Sequence, residues 1–309
     1  MATPTGFQQP ETITTEPTAK VSSWIARALY IFARDPRLWF GVVLLLFVIF
    51  AIFAPFISPY SPLLYHPAIV EQGPTLAHPL GTDDLGRDQL SRVIYGTRIS
   101  LTVGVASILA GGLLGTVLGI IAAYFKGWID QVVIMIIDTL LSFPSLILAL
   151  AIVAALGPSI VNVLIALAIV RIPIYARLAR GQTLQAANEG YVTAAIASGS
   201  RARKIMFRHI LPNIFTPLLV QATISISLAI LDESTLSFLG LGVQPPTPEW
   251  GSMISEAQVY LTSDPWMLFG PTLAIVLIVL SLNILGDALR DRLDPHSKDI
   301  RDLGAPLRE

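Results

Sequence analysis

The sequence predicts an all-α polytopic membrane protein with six transmembrane helices, and three observations carry this prediction. Apolar residues make up 53% of the 309 positions and charged residues only 13%, against roughly a quarter charged in soluble domains. The apolar residues fall into long runs, which a soluble core rarely requires. Lysine and arginine concentrate at one set of run ends. An ordinary soluble domain is excluded, because it would need more polar surface to cover its core.

Charge and cysteine content narrow the function further. The net charge of −1 provides no basic field of the kind that nucleic-acid-binding domains carry, so no nucleic-acid partner is expected. The absence of cysteine rules out disulfides and thiolate metal sites. Residues 1–20 have no apolar core and no basic cluster at their start, so they are predicted to be a disordered tail rather than a secretory signal.

Six stretches approach the roughly 20 apolar residues that a bilayer core of about 30 Å requires. They are residues 38–57, 99–125, 132–156, 160–178, 214–236 and 268–289. Pro55, Pro59 and Pro62 end the first stretch, because proline cannot sustain a helix. Arg171 and Pro173 interrupt the fourth stretch, so an odd number of spans is the alternative to six.

Orientation follows from lysine and arginine near the span ends. With the N-terminus inside, the outer side receives only Arg87, Arg92 and Arg98, and residues 237–267 contain neither residue type. Both termini are therefore predicted to be cytoplasmic, in a multi-pass protein of a bacterial or archaeal cell (inner) membrane that contacts membrane lipid. Two sizeable external segments result, 58–98 and 237–267.

This topology divides the chain into four parts. They are a disordered cytoplasmic tail (1–20), an interfacial helix (24–35) with the first span and external loop (21–98), a five-span core (99–290) with an inner loop (179–213), and a cytoplasmic tail (291–309). The interfacial helix is expected to stop before Pro36, because the residue before a proline disfavours helix.

The second span carries a small residue at every fourth position: Ser107, Gly111, Gly115, Gly119 and Ala123. This spacing places the small residues on one helix face and lets a neighbouring backbone approach closely. Tight static packing is the favoured interpretation, and a moving, pore-lining contact is the alternative.

Four charged residues lie inside or beside the spans: Asp138, Arg171, Asp232 and Glu233. Asp138 and Arg171 fall about 10 Å below the inner surface at the helical rise. Unpaired charge is costly there, so we predict that they pair across spans three and four, as a structural pair in preference to a proton relay. Asp232 and Glu233 are predicted to face an external vestibule. The following residues, 236–242, indicate either a re-entrant turn or simple helix termination.

No catalytic, cofactor or metal site is predicted. Residues 81–87 imitate the spacing of a phosphate-binding loop, but Arg87-Asp88 stands where Lys and then Ser or Thr are needed. Four possible metal ligands are scattered through the predicted external segment: His66, Glu71, His78 and Asp83. They lack the tight spacing of a metal site, so solvated loop side chains are the favoured interpretation of this scattered external set.

The inner loop contains an alanine-rich helix from Tyr191 that Gly199 is predicted to stop in a left-handed turn. A second, basic helix over 201–210 is predicted to end at Pro212. On the residues alone, a basic linker that satisfies the charge bias is favoured. The alternative is a rigid helix–turn–helix that fits a groove on a soluble partner.

The loop resembles the EAA loop of bacterial ABC importer permeases. Ala194-Ala195, Gly199 and Leu211-Pro212 match its pattern, while Thr193 stands where the name-giving Glu would be and His209 where Ile is usual. Further motifs are similar to the dipeptide/oligopeptide/nickel permeases, in particular to the second (C-type) subunit. They include Leu80-Gly81-Thr82-Asp83, Gly96-Thr97-Arg98, Ser142-Phe143-Pro144, Tyr175-Ala176-Arg177-Leu178, Phe207-Arg208-His209-Ile210-Leu211-Pro212-Asn213 and Leu236-Ser237-Phe238-Leu239-Gly240-Leu241-Gly242.

This resemblance implies the transmembrane domain of a type I ABC importer, a transport subunit and not an enzyme. A second homologous permease, two ABC ATPase subunits and an external substrate-binding protein are the implied partners. The implied ATPase-coupling residues are Tyr191, Thr193, Ala194, Ala195, Gly199, Arg203, Leu211 and Pro212. Dipeptides or oligopeptides are the first choice of substrate, and nickel or another small solute is the alternative.

Two other classes of protein compete with this function. A secondary transporter driven by an ion gradient should show inverted repeats with acids or broken helices at the midplane, and neither is evident. A membrane scaffold would not need a stiff loop.

Overall fold

The computed structural model describes residues 36–293 of the chain. Residues 36–39 belong to an N-terminal unit, Met1–Trp39, and the remainder to a second unit, Phe40–Glu309. The predicted tail 1–20, the predicted interfacial helix 24–35 and nearly all of the predicted tail 291–309 lie outside the described residues.

Nine helices of eight or more residues form the described part of the chain. They are α1 (Pro36–Ile57), α2 (Gln89–Phe125), α3 (Gly127–Leu141), α4 (Ser145–Leu156), α5 (Ile160–Ala186), α6 (Gly190–Ala197), α7 (Ala202–Phe238), α8 (Trp250–Ala257) and α9 (Trp266–Leu293). Two short 3₁₀ turns, Pro67–Ile69 and Gln258–Tyr260, lie in the connections.

Five of these helices are long and apolar enough to cross a membrane: α1, α2, α5, α7 and α9. The third predicted span, 132–156, is not one continuous helix, because α3 and α4 meet at an angle of 90°. The break falls at residues 142–144, where Pro144 precedes the first turn of α4. Proline has no N–H to continue the α3 ladder, so the predicted third span is present as a bent pair of helices, which makes six candidate spans when the pair is counted as one.

The fourth predicted span is confirmed as part of a single helix. α5 runs through Arg171 and Pro173 without a break, and the Ser159 hydroxyl caps its start by accepting from the Asn162 N–H at 3.1 Å. A proline is tolerated inside a membrane helix when neighbouring protein covers it, and Pro173 is buried in this bundle.

The small-residue face of α2 packs directly on α5. A Cβ atom at Gly111, Gly115 or Gly119 would lie 2.3 Å from a carbonyl oxygen of α5 in each case. Those oxygens belong to Ala168, Ile172 and Ala176, respectively. Such contacts leave no room for any side chain larger than hydrogen, which supports the static-packing interpretation.

The connections 58–88 and 239–265 meet at one end of the helices, which we call the α8 end, where Arg87 Nη2 donates to Glu256 Oε2 at 3.3 Å. The Trp250 indole N–H donates to the Val93 carbonyl at 3.0 Å, and Phe47 packs edge-on against the same indole with ring centroids 5.8 Å apart. Trp250 is fully buried. The two segments predicted to share one side of the membrane therefore cover that end together.

The segment 236–242 terminates α7 and does not form a re-entrant helix. Gly240 has φ +79°, its N–H donates to the Ser237 carbonyl at 2.9 Å, and the Leu241 N–H donates to the Leu236 carbonyl at 2.9 Å. This pair of bonds is a Schellman motif, in which glycine adopts the left-handed conformation that closes a helix.

Candidate functional site

The helix α6 stands at the opposite end of the bundle, which we call the α6 end. Val192 and Ala195 are buried and pack in one apolar cluster with Ile205 and Ile210. The opposite face stays open: Ile196 is 54% exposed. A largely apolar helix only two turns long is thus held by one face and presents the other.

Gly199 stops α6 as the sequence predicts. Its φ is +74°, its N–H donates to the Ile196 carbonyl at 2.9 Å, and the Ser200 N–H donates to the Ala195 carbonyl at 3.1 Å. A Cβ atom at Gly199 would meet no atom within 4 Å. Glycine is therefore needed for its backbone conformation and not for space.

The basic helix does not end at Pro212, and that prediction is wrong. The chain stays helical from Ala202 to Phe238 through a π-helical turn at Ile205–Ile210. The Leu211 N–H donates to the Met206 carbonyl, five residues back. The wider turn precedes Pro212, whose missing N–H and bulky ring would break an α-helical ladder at that point.

Three of the eight predicted coupling residues line one groove of about 510 Å³. Tyr191, Ala194 and Ala195 contribute from α6, and Lys204, Arg208 and His209 contribute from the start of α7. Thr193, Arg203 and Pro212 are exposed and Leu211 is half-buried, and none of these four residues is part of the groove lining. The groove is basic and open, with an apolar floor, so its chemistry suits a protein surface that carries acids.

The predicted ion pair between Asp138 and Arg171 does not form. The Arg177 Nη2 instead donates to the Asp138 Oδ1 at 2.5 Å. Arg177 lies six positions along α5 from Arg171, or about 9 Å at the helical rise. The Asp138 and Arg177 side chains are 56% and 62% exposed, whereas Arg171 is buried, so Asp138 and Arg171 do not share an environment as the sequence prediction required. Asp130 and Arg180 form a second link between α3 and α5, bidentate at 2.6 and 2.7 Å.

Arg171 pairs with Asp232 on α7. Its Nη2 donates to the Asp232 Oδ2 at 2.5 Å, and the two side chains are 4% and 20% exposed. The sequence singled out both residues but assigned each to a different partner or environment. Membrane-depth charges require partners, yet the pairing depends on which helices are neighbours.

Glu233 does not face a vestibule, because it is buried against the cover at the α8 end. Glu249 is its acidic neighbour and hydrogen-bond partner. The Glu249 carboxylate caps α8 by accepting from the Gly251 and Ser252 N–H groups at 2.6 and 2.8 Å. Burial raises the pKa of Glu249, and those backbone donors oppose the rise. Among residues 37–293 no cation pairs with either acid. We therefore expect the two carboxyl groups to share one proton, because two buried negative charges side by side would repel each other.

Replacing Glu233 with Gln is expected to leave the melting temperature within a few degrees of that of the unaltered protein, because the amide still donates toward Glu249. Glu249→Gln is the matched contrast: it loses one of the acceptors that cap α8, at a cost of about 1–2 kcal/mol. Thermal unfolding in detergent measures both. A larger loss for Glu233→Gln than for Glu249→Gln would contradict the shared proton.

A second set of charges at the α8 end was not found from the sequence. Arg87 Nε donates to Asp83 Oδ2 at 2.6 Å, and Arg92 Nη2 donates to Glu256 Oε2 at 3.0 Å. Arg92 is fully buried. Burial raises the pKa of Glu256, and the neighbouring Arg92 and Arg87 oppose the rise. The only sequence signal was charge in two external segments, which says nothing about contact between them.

The scattered external set does not converge on one point. His78 Nδ1 lies 2.8 Å from Asp88 Oδ1, while Asp83 belongs to the arginine cluster. In the described part of the chain the only group with metal-like spacing is Asp83, Asp84 and Glu256, and both arginines of the cluster pair with it. Gly86 of the false phosphate loop packs tightly, since a Cβ there would lie 2.0 Å from the His66 carbonyl oxygen.

A polar recess of about 580 Å³ opens between α5, α7 and α9 at the α6 end. Asn213, Thr216 and Gln221 line it from α7, and Arg290 lines it from α9. Gln221 also donates to the Ser225 hydroxyl one turn further along at 3.1 Å. Polar side chains therefore continue from this recess into the bundle.

Comparison with protein families decides the identity. Residues 115–299 match the model described as "Binding-protein-dependent transport system inner membrane component", and residues 22–78 match the N-terminal transmembrane domain of oligopeptide transport permease C. The chain belongs to this family of transport permeases. It is an ABC importer permease subunit of the C type, a transport protein and not itself an enzyme.

The permease is similar to several curated relatives over most of its length. It is 46% identical over 257 residues to the dipeptide transport system permease protein DppC of Alkalihalophilus pseudofirmus, covering 83% of this chain and 84% of that protein. It is 44% identical to the di/tripeptide permease DppC of Pseudomonas aeruginosa, covering 87% and 91%. It is 44% identical to the glutathione permease GsiD of Pectobacterium atrosepticum, covering 84% and 86%.

Solved structures share the fold of this permease. The inward-facing MetNI methionine ABC transporter aligns with a TM-score of 0.54 at 17% identity, covering 66% of this chain and 97% of that one. An amino acid ABC transporter solved with histidines aligns with a TM-score of 0.50 at 19% identity, covering 65% and 94%. The all-α importer fold predicted from the sequence is confirmed.

Proposed function

We propose that this permease forms, with a second homologous permease, the pathway through which dipeptides or oligopeptides enter the cell. The main support for this proposal is the set of relatives that are 44–46% identical to this chain, whose names specify dipeptides, di/tripeptides and glutathione. Glutathione is itself a tripeptide, so all three substrates share peptide chemistry. Nickel remains the second candidate substrate class, from the resemblance alone.

The α6 groove is the proposed docking site for an ABC ATPase subunit. Its support is geometric: an anchored short helix, a glycine stop, and a basic rim at Lys204 and Arg208. Nucleotide-driven movement of the ATPase would push on α6, which shares an apolar cluster, through Val192 and Ala195, with Ile205 and Ile210 at the start of α7. That contact transmits the push to the membrane helices. The α6 end is then cytoplasmic, and the α8 end meets an external binding protein.

Replacing Gly199 with Glu is expected to uncouple ATP hydrolysis from peptide uptake. A side chain with φ near +74° is strained by about 1–2 kcal/mol, and the added negative charge stands beside the basic groove. The complex should insert and hydrolyse ATP, while uptake falls about tenfold or more, as a loss of roughly 1.4 kcal/mol in coupling implies. Uptake and hydrolysis are measured together in proteoliposomes that contain both permeases, the ATPases and the binding protein.

Gly127→Glu is the matched control. Gly127 also has a positive φ, +57°, and a Cβ atom there would meet nothing within 4 Å, but it is the first residue of α3 and lies outside the groove. Normal uptake in Gly199→Glu, or an equal loss in Gly127→Glu, would contradict docking at this groove. Uptake of nickel but not peptide by the unaltered complex would instead overturn the peptide assignment.

A further inference from the structure

The ion pair between Arg171 and Asp232 lies well inside the membrane helices. Asp232 precedes the last residue of α7, Phe238, by six positions, which is about 9 Å along a helix. The next residue, Glu233, is buried under the cover that includes Glu249. Arg171 is the enclosed member of the pair, at 4% side-chain exposure, and Asp232 is the open one, at 20%.

Only one oxygen of Asp232 is used. Oδ2 accepts from Arg171, whereas within residues 37–293 no hydrogen bond reaches Oδ1. Leu228 and Leu231, on the preceding turn of α7, are exposed, and Thr235 on the following turn is half-buried. Asp232 therefore opens onto a face of α7 that this chain leaves uncovered.

That face cannot meet lipid at Asp232. A carboxylate in the hydrocarbon core costs at least about 2.5–3.5 kcal/mol, and a polar atom there must be satisfied by protein or water. A further buried atom in the same region, Arg171 Nε, has no hydrogen-bond partner in the described chain. Buried polar groups of this kind are ordinarily served by water. The uncovered face of α7 therefore borders a hydrated space.

We propose that Asp232 Oδ1 is a binding site for the α-ammonium group of a peptide in transit, with Arg171 as its positioning residue. This inference rests on the proposed function, because the hydrated space is then the pathway between the two permeases. A carboxylate and an ammonium group form a charge-assisted hydrogen bond. Every peptide with a free N-terminus carries that ammonium group near neutral pH, since its pKa lies near 7.7–8.0.

The partner arginine makes the site suitable for transit. Arg171 holds one carboxylate oxygen and leaves the other directed to the open face, so the geometry is set before the peptide arrives. Its charge also offsets part of the attraction, which keeps binding weak enough for release, as conduction requires. A metal ion such as nickel fits poorly, because one carboxylate oxygen is too few ligands, and the described histidines lie at the two ends of the bundle.

The test uses the complete importer in proteoliposomes with saturating binding protein loaded with trialanine. Asp232→Asn is expected to lower maximal uptake by at least about tenfold, the loss expected for one charge-assisted hydrogen bond. Asp232→Glu should retain more uptake than Asp232→Asn, because the charge remains. In the unaltered importer, uptake should fall as the pH rises through the ammonium pKa, about 8, and this fall should be absent in Asp232→Asn.

A neutral double variant separates binding from folding. Arg171→Gln with Asp232→Asn leaves no buried unpaired charge, so a merely structural pair predicts restored uptake, whereas the ammonium site predicts uptake as low as in Asp232→Asn. Asp130→Asn controls for loss of an arginine-paired aspartate elsewhere and should keep uptake within twofold. Restored uptake in the double variant, or an unchanged pH profile in Asp232→Asn, would overturn the site. Absent peptide uptake by the unaltered importer would overturn the proposed function instead.

Discussion

Replacing Gly115 with Leu is expected to prevent α2 from packing on α5 and to leave little folded permease. A Cβ atom at this position would lie 2.3 Å from the Ile172 carbonyl oxygen and 2.9 Å from the Tyr175 Cβ. The obstacle is backbone, which cannot rotate away, so the helices must separate along their whole contact. Overpacking of a core costs about 1–3 kcal/mol even when side chains can adjust, and we expect the upper end of that range or more. The yield of monodisperse protein in detergent and its melting temperature measure the effect.

Gly181→Leu is the matched control for this experiment. Gly181 lies on α5, and a Cβ atom there would meet nothing within 4 Å. Leucine favours helix over glycine by up to about 1 kcal/mol, so this variant should be as stable as the unaltered protein or slightly more stable. Equal melting temperatures for Gly115→Leu and Gly181→Leu would show that the α2–α5 contact can open at little cost.

Replacing Arg92 with Ala is expected to destabilise the cover at the α8 end by about 1–3 kcal/mol, because Glu256 and Asp83 each lose one of their two arginine partners in a largely buried cluster. Arg92 Nη2 lies 3.0 Å from Glu256 Oε2, and Arg92 Nε lies 3.4 Å from Asp83 Oδ2. Without Arg92, a single arginine, Arg87, remains beside three carboxylates. Thermal unfolding and limited proteolysis of the external segments report the loss.

Arg98→Ala removes the same charge from the same helix. Arg98 is exposed, and no ion pair involves it in the described part of the chain, so its loss should change stability by less than about 0.5 kcal/mol. A similar shift for both variants would mean that net charge, and not the buried cluster, stabilises this end.

The membrane-crossing helices were largely predictable from local sequence, but several of their ends were not, since α2 begins at Gln89, α5 continues to Ala186 and α7 begins at Ala202. Apolar runs longer than the bilayer core predicted the spans, and a positive-φ glycine ended α6 at Gly199, as predicted. The same kind of signal was ambiguous for proline. Pro144 accompanies a 90° break, whereas Pro173 lies inside an uninterrupted helix. Proline removes one hydrogen bond in both places, and only the surrounding packing determines whether the helix survives.

Charge pairing was the least predictable feature. Asp138, Arg171, Asp232 and Glu233 were all identified from sequence as costly at their depth, yet the predicted pair was wrong and Glu233 proved to be buried beside a second acid. Depth along one helix can be counted from the sequence. Which helix lies opposite depends on the α2–α5 contact and on the turn between α3 and α4.

The sequence by itself determined the membrane class, most span positions, the small-residue face of α2, the glycine stop of the inner loop and the resemblance to importer permeases. These features depend on residues close together in the chain, through hydrophobic length, backbone conformation and short motifs. Only the tertiary structure decided that Asp232 meets Arg171, that Glu233 meets Glu249 and that Arg92 meets Glu256. Each of these contacts joins distant segments, and a buried charge selects its partner by position in space and not by distance along the chain.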